Sequence, residues 1–306
     1  MILLSVLKEL PMQIDPVVAS AKPAPSRPVA PELPRANRVI HIPDFTLDGD
    51  LTAEQSDFFE TFGFIRFKGF VARERAQALY GSVLEIDKKL VADGREKVNG
   101  VPLIFGKRDD GTRYVQRIPF ASLQSEAFHT FLQDPRFTGI TRTAGQGYRI
   151  AEDERDGLVI NRFRNEPGAK YKRLGWHTDS LRDLFYFEKP RRYLNVGFYL
   201  TDSPAEVGGL RVLPCTHNQP ISSMLTRKAH FLDDAPDPDE LAITAEAGDL
   251  TIHDGRIWHR TALSTLTGDA SERCVSYLPL MDGPIKRKTE NSRMPFYFRL
   301  KGLVGY

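Results

Sequence analysis

A chain of 306 residues, 41% hydrophobic and 27% charged, has the makeup of an ordinary folded protein with material for one large core. Lys and Arg number 42 against 40 Asp and Glu, a formal charge of +2 with the signs interspersed, which argues against the one-sided basic field of a nucleic-acid binder. Two cysteines, Cys215 and Cys274, are too few for a disulfide framework and are not spaced as a metal-binding pair, which points to a reducing, cytoplasmic setting.

The opening Met1–Leu7 is apolar, but it lacks a basic flank and is broken by Lys8, Glu9 and Pro11, unlike a signal peptide. No later apolar run reaches the roughly 20 residues that span a bilayer, so no membrane partner is expected. Residues 11–34 carry seven prolines and few large apolar side chains, a composition that cannot bury enough surface to offset ordering. The expectation is a flexible proline-rich arm over 1–38 and a single folded domain over 39–306.

Thr52-Ala53-Glu54-Gln55 reads as a capping box, followed by Phe58, Phe59 and Phe62 on one side of a short helix that Gly63 ends. Phe64–Phe67 then predicts a strand. Leu79, Val83, Ile86 and Leu90 recur at the period of an amphipathic helix within 71–93, a stripe for core packing. Beyond Gly94 the pattern weakens: Asp110-Gly111 signals a turn, 114–120 a strand, and 126–132 a helix that carries His129, read as a surface or core-edge histidine. From there the chain is β-rich. Strands are predicted over 158–164, 193–200, 210–213, 249–253 and 273–280, punctuated by Pro167-Gly168, Gly208-Gly209, Gly248 and Asp282-Gly283. Short strands with turn signals, without a helix between each pair, favour a mainly β fold in which helices flank a double-sheet jelly roll.

Gly175-Trp176-His177-Thr178-Asp179 is the stretch that carries chemistry. On a strand, His177 and Asp179 share a face while Thr178 points away. His259, far along the chain in Asp254-Gly255-Arg256-Ile257-Trp258-His259-Arg260-Thr261, is the best-placed third ligand, with His253 the alternative. Two histidines and one carboxylate on one face of a metal, with the other positions open, suit non-haem Fe(II) oxygen chemistry. Arg273 adds to this. It opens a strand of otherwise apolar or small residues, where its charge is costly unless paired, and a guanidinium can hold the far carboxylate of a dicarboxylate that chelates iron at its other end. His217 reads as a loop or core histidine, and His41 and His230 have no supporting neighbours.

Trp176-His177-Thr178-Asp179, Gly208–His217, Gly248-Asp249-Leu250, Gly255–Arg260 and then Arg273 together resemble the phytanoyl-CoA dioxygenase family of Fe(II)/2-oxoglutarate oxygenases. The likeness runs from about Thr52 to about Leu280. It departs at Cys215-Thr216-His217, where the family often has Gly-Ser-His. The resemblance implies a double-stranded β-helix core, a cupin-like jelly roll, with iron on His177, Asp179 and His259. It also implies 2-oxoglutarate anchored by Arg273, with Thr261 as a hydroxyl partner, and O2 as the third reactant. Asp179 occupies the position that related halogenases keep small, which disfavours halogenation. Related hydroxylases place co-substrate and substrate contacts on the strand entering the site, which implicates Asn165 for the co-substrate and Asn161 and Phe163 for the substrate, with Gln116 a further substrate candidate. The implied reaction is hydroxylation of an unactivated C–H bond in a small-molecule substrate, with release of succinate and CO2; desaturation, cyclisation or epimerisation would draw on the same oxidant. A zinc hydrolase would have no use for Arg273 and lacks an H-E-x-x-H helix, and a non-catalytic jelly-roll binding protein would have no need of all three ligands.

Overall fold

In the computed structural model, which describes residues 40–186, 189–283, 285–295 and 298, the first helix is fixed at both ends by the predicted residues. The Thr52 hydroxyl accepts from the Gln55 N–H and the Gln55 side chain accepts from the Thr52 N–H, so the capping box starts α1 (Ala53–Phe62). Gly63 ends it in the left-handed region at φ 80°. The arm expected over 1–38 lies outside the described residues.

The chain continues through β1 (Phe64–Phe67), α2 (Arg73–Ala92), β2 (Lys97–Val98), β3 (Val101–Pro102), β4 (Ile104–Lys107), β5 (Arg113–Ile118), α3 (Glu126–Leu132) and α4 (Arg136–Ala144). It then turns to β6 (Arg149–Ile150), β7 (Val159–Phe163), β8 (Leu174–His177), β9 (Leu194–Tyr199), β10 (Gly209–Val212) and α5 (Ile221–Thr226). The last strands are β11 (Leu241–Ile243), β12 (Leu250–Asp254), β13 (His259–Ala262) and β14 (Arg273–Met281). Helix α4 was not expected. Its Gly139 lets the helix approach the 49–50 backbone so closely that a Cβ there would stand 2.2 Å from the Gly49 carbonyl oxygen.

Two antiparallel sheets form the expected jelly roll. The large one runs β1-β12-β9-β14-β7-β5-β4, with β6 paired to the far end of β14; the small one runs β11-β10-β13-β8. β14 shows the division of labour, because alternate residues face opposite ways. Cys274, Leu278 and Leu280 pack into the main core with Leu79, Val83 and Ile86 of α2, whereas Val275 and Tyr277 pack with Phe163, Tyr171, Tyr199 and Leu174 of β8, between the sheets. Phe64 joins Leu210, Val212 and Ile243 to close the other end.

A buried ionic network ties α2 to the start of β14. Arg162, 0% exposed, pairs with Asp87 of α2 at 2.6 Å and with Glu272 at 3.2 Å, while Arg164 bonds Glu166 at 3.0 Å and also reaches Glu272. Among the described residues, no helix is long and apolar enough to cross a membrane.

Candidate metal centre and co-substrate pocket

β8 ends at His177, and Asp179 opens a 3₁₀ segment, Asp179–Tyr186. The expectation that one strand presents both side chains on one face is therefore corrected: the chain turns at Thr178. The turn still leaves an Asp179 oxygen 3.8 Å from His177 Nε2. His259 is the first residue of β13 and the cross-strand partner of His177, which sets their ring centroids 4.1 Å apart. Its Nε2 lies 3.5 Å from Asp179 Oδ2. One ligand atom from each of the three falls within 4.8 Å of the others.

Both imidazoles are prepared by their own backbone. His177 Nδ1 lies 2.8 Å from the Gly175 carbonyl and His259 Nδ1 3.0 Å from that of Ile257. A carbonyl only accepts, so each Nδ1 carries the proton and each Nε2 keeps its lone pair. Burial, with His259 adding to it, pushes the His177 pKa well below the ordinary histidine range. Burial likewise takes His259 down to about 4, with His253 adding to the effect and Asp179 opposing it. For Asp179 burial alone acts upward, but His259, His253 and His177 outweigh it and hold the carboxyl low. The trio is two neutral nitrogen donors and one anionic oxygen donor. Phe231 stacks on the His177 ring at 4.5 Å, and the Thr178 N–H donates to His230 Nε2 at 2.9 Å, so His230, read from sequence as a bystander, braces the turn between the two candidate ligands.

Arg273, at the start of β14, is 1% exposed, and none of its three guanidinium nitrogens meets a hydrogen-bond partner among the described residues. Its Cζ lies 4.4 Å from the centroid of the Phe163 ring, its cross-strand partner, and Tyr171 stacks on the same ring at 4.5 Å. Burial lowers the Arg273 pKa against the influence of Tyr277, Tyr199 and Tyr171. Thr261 is buried two residues beyond His259 on β13, past a shift in the register with β8.

The other sequence candidates separate. Asn161 is buried on β7 with its Oδ1 unpartnered among the described residues, and Phe163 supports Arg273. Asn165 is engaged by a loop: its side-chain amide donates to the Ser264 and Leu266 carbonyls at 2.9 and 3.1 Å and its backbone N–H to Ser271 Oγ, so it braces the 264–271 segment. Gln116 is a correction. Its amide nitrogen donates to the Arg162 and Tyr171 carbonyls and its oxygen accepts from the Lys170 and Tyr171 N–H groups, which uses its full hydrogen-bonding capacity on backbone. Asn195 was missed. It donates to Asp179 Oδ2 from β9, and an amide within the run Leu194-Asn195-Val196-Gly197-Phe198 was the available signal. His217 closes onto α1, its Nε2 3.0 Å from the Glu60 carbonyl.

The family model described as phytanoyl-CoA dioxygenase matches residues 59–265. Comparison with curated proteins returns no match. Among solved structures, the non-haem alpha-ketoglutarate-dependent carbocyclase SnoK from nogalamycin biosynthesis is 18% identical at TM-score 0.56, covering 81% of this chain and 90% of its own. The epimerase SnoN, in complex with Fe3+, alpha-ketoglutarate and nogalamycin RO, is 18% identical at TM-score 0.54, covering 78% and 86%. HygX from Streptomyces hygroscopicus, with nickel and 2-oxoglutarate bound, is 18% identical at TM-score 0.54, covering 79% and 89%. At this identity the likeness is one of fold.

Proposed function

The chain belongs to the phytanoyl-CoA dioxygenase family, and from that premise we propose that it is an Fe(II)/2-oxoglutarate-dependent oxygenase that hydroxylates an unactivated C–H bond of a small metabolite. The observation that carries the reading is Arg273. A buried guanidinium with three unpartnered nitrogens is costly, and its cost is explained by a carboxylate ligand that arrives from outside. Two neutral imidazoles and a carboxylate suit Fe(II) with positions left open, so the residues present fit both groups.

His177, Asp179 and His259 would hold the metal, and Arg273 with Thr261 the distal carboxylate of the co-substrate. Together, iron, 2-oxoglutarate and O2 supply oxidation of the C–H bond coupled to formation of succinate and CO2. The protein's own residues bind and exclude. Phe163 and Tyr171 wall off Arg273 from water, which strengthens its hold on an anion, and the backbone carbonyls of Gly175 and Ile257 keep both ligand imidazoles in the binding tautomer. Asn161, with its unpartnered oxygen, is the strongest remaining substrate contact.

Anaerobic titration of the protein with Fe(II) and 2-oxoglutarate tests this through the weak visible charge-transfer band. A band in the wild type, lost in His259→Ala and demanding far more 2-oxoglutarate in Arg273→Ala, is the expected result. Iron bound without a band would overturn the co-substrate assignment. Product mass then separates hydroxylation, which adds an oxygen atom, from desaturation or cyclisation, which remove two hydrogens, and from epimerisation, which leaves the mass unchanged.

A further inference from the structure

Two histidines stand at similar distances from Asp179. His259 Nε2 is 3.5 Å and His253 Nε2 3.8 Å from the same oxygen, Oδ2. His253, on β12, is 1% exposed and packs against the His259 ring at 4.7 Å. His253 therefore lies nearly as close to this oxygen as His259 does, although the ligand atoms that lie close to one another are those of His177, Asp179 and His259. Asn195 distinguishes them. It is the cross-strand partner of His253 in the β9–β12 pair, its amide nitrogen donates to Asp179 Oδ2, and the same nitrogen lies 3.4 Å from His253 Nε2.

A side-chain amide nitrogen carries two N–H groups and no lone pair to share, so one amide serves both neighbours. One hydrogen goes to the carboxylate and the other to the imidazole. His253 Nε2 is then an acceptor, its proton sits on Nδ1, which has no partner of its own among the described residues, and its lone pair is committed. His259 differs: its proton is on the nitrogen facing the Ile257 carbonyl and its Nε2 is uncommitted. The carboxylate also needs this bond. Because Asp179 lies beyond the end of β8, strand register does not orient it, and Asn195 supplies a fixed direction from the opposite sheet.

We propose that Asn195 is a positioning residue of the metal centre: it holds Asp179 in its ligating pose and occupies His253, so that His259 completes the trio. This rests on the metal-binding reading of His177, Asp179 and His259. Removal of such outer partners typically weakens a metal site by about 10- to 100-fold.

The test uses Co(II) as a spectroscopic stand-in, titrated anaerobically into the full chain and followed by its visible d–d bands, with the melting temperature of each metal-free variant as a check on folding. Asn195→Ala should weaken Co(II) binding about 10- to 100-fold and alter the band pattern, while Asn195→Ser, whose hydroxyl still donates, should recover part of both. His253→Ala should weaken binding less than His259→Ala. The proposal is overturned if Asn195→Ala matches the wild type in affinity and spectrum, if Ser and Ala lose equally, or if His253→Ala proves the more damaging histidine change. That last comparison holds even where Asn195→Ala does not fold. Wild type that binds Co(II), with loss in His177→Ala, secures the metal site separately, so an unchanged Asn195→Ala would then sink only the positioning role. Wild type that fails to bind, or His177→Ala that binds as well, removes both.

Discussion

Arg273 and His259 each give a stability to the ligand-free protein that is worse than it could be. An unpaired buried charge costs several kcal/mol even after relaxation, so Arg273→Met should raise the melting temperature of the ligand-free protein. The same change should remove the further rise that 2-oxoglutarate gives the wild type, since hydrogen bonds to charged groups contribute about 1.5–3 kcal/mol; thermal unfolding with and without 2-oxoglutarate reads both. His259 carries a pH signature. Its folded value of about 4 lies below the ordinary 6.5, so between those values the unfolded chain binds a proton that the folded one refuses, and stability falls as pH falls through that window. In metal-free protein, His259→Asn should flatten the slope of melting temperature against pH from about 6.5 to 4. Residues of this kind were legible because their chemistry is a matter of type and spacing. Gln116 and Asn165 were not, since what an amide bonds is settled by tertiary partners such as Tyr171 and Ser264, which no local pattern names.

Between elements, α1 is joined closely to the Pro214–His217 turn. The Cys215 N–H donates to the Phe62 carbonyl at 3.0 Å, and His217 sits so close to Gly63 that a Cβ there would fall 2.4 Å from its Nδ1. Gly63→Ala should therefore cost more than the roughly 1–2 kcal/mol of a left-handed backbone, seen as a lower urea midpoint at unchanged slope. The ends of α1 were legible because Thr52, Gln55 and Gly63 act within four residues of the helix. α3 likewise spans the predicted 126–132. The end of β8 was not, because the alternation that predicts a shared face carries no mark of where pairing with β13 stops.

For the molecule as a whole, the turn-punctuated strands made a jelly roll legible, but not the sheet order, in which β1 joins β12 across most of the chain. The Arg162 network belongs to this scale, since it fastens a helix of the first half to the strand that bears Arg273. Removing one partner from such a buried pair costs about 3–5 kcal/mol, so Arg162→Ala should lower the unfolding free energy by that order in urea denaturation and leave Asp87 and Glu272 without their shared cation. The two sheets also hold different ends of the proposed site: His177 and His259 stand on the small sheet, Arg273 on the large one, and the packing of Phe163, Tyr171, Tyr199 and Val275 sits between them. On the proposed reading that arrangement works as a caliper with jaws set by the core. A keto diacid one methylene shorter or longer than 2-oxoglutarate, such as oxaloacetate or 2-oxoadipate, carries the same chelating head but would meet only one jaw.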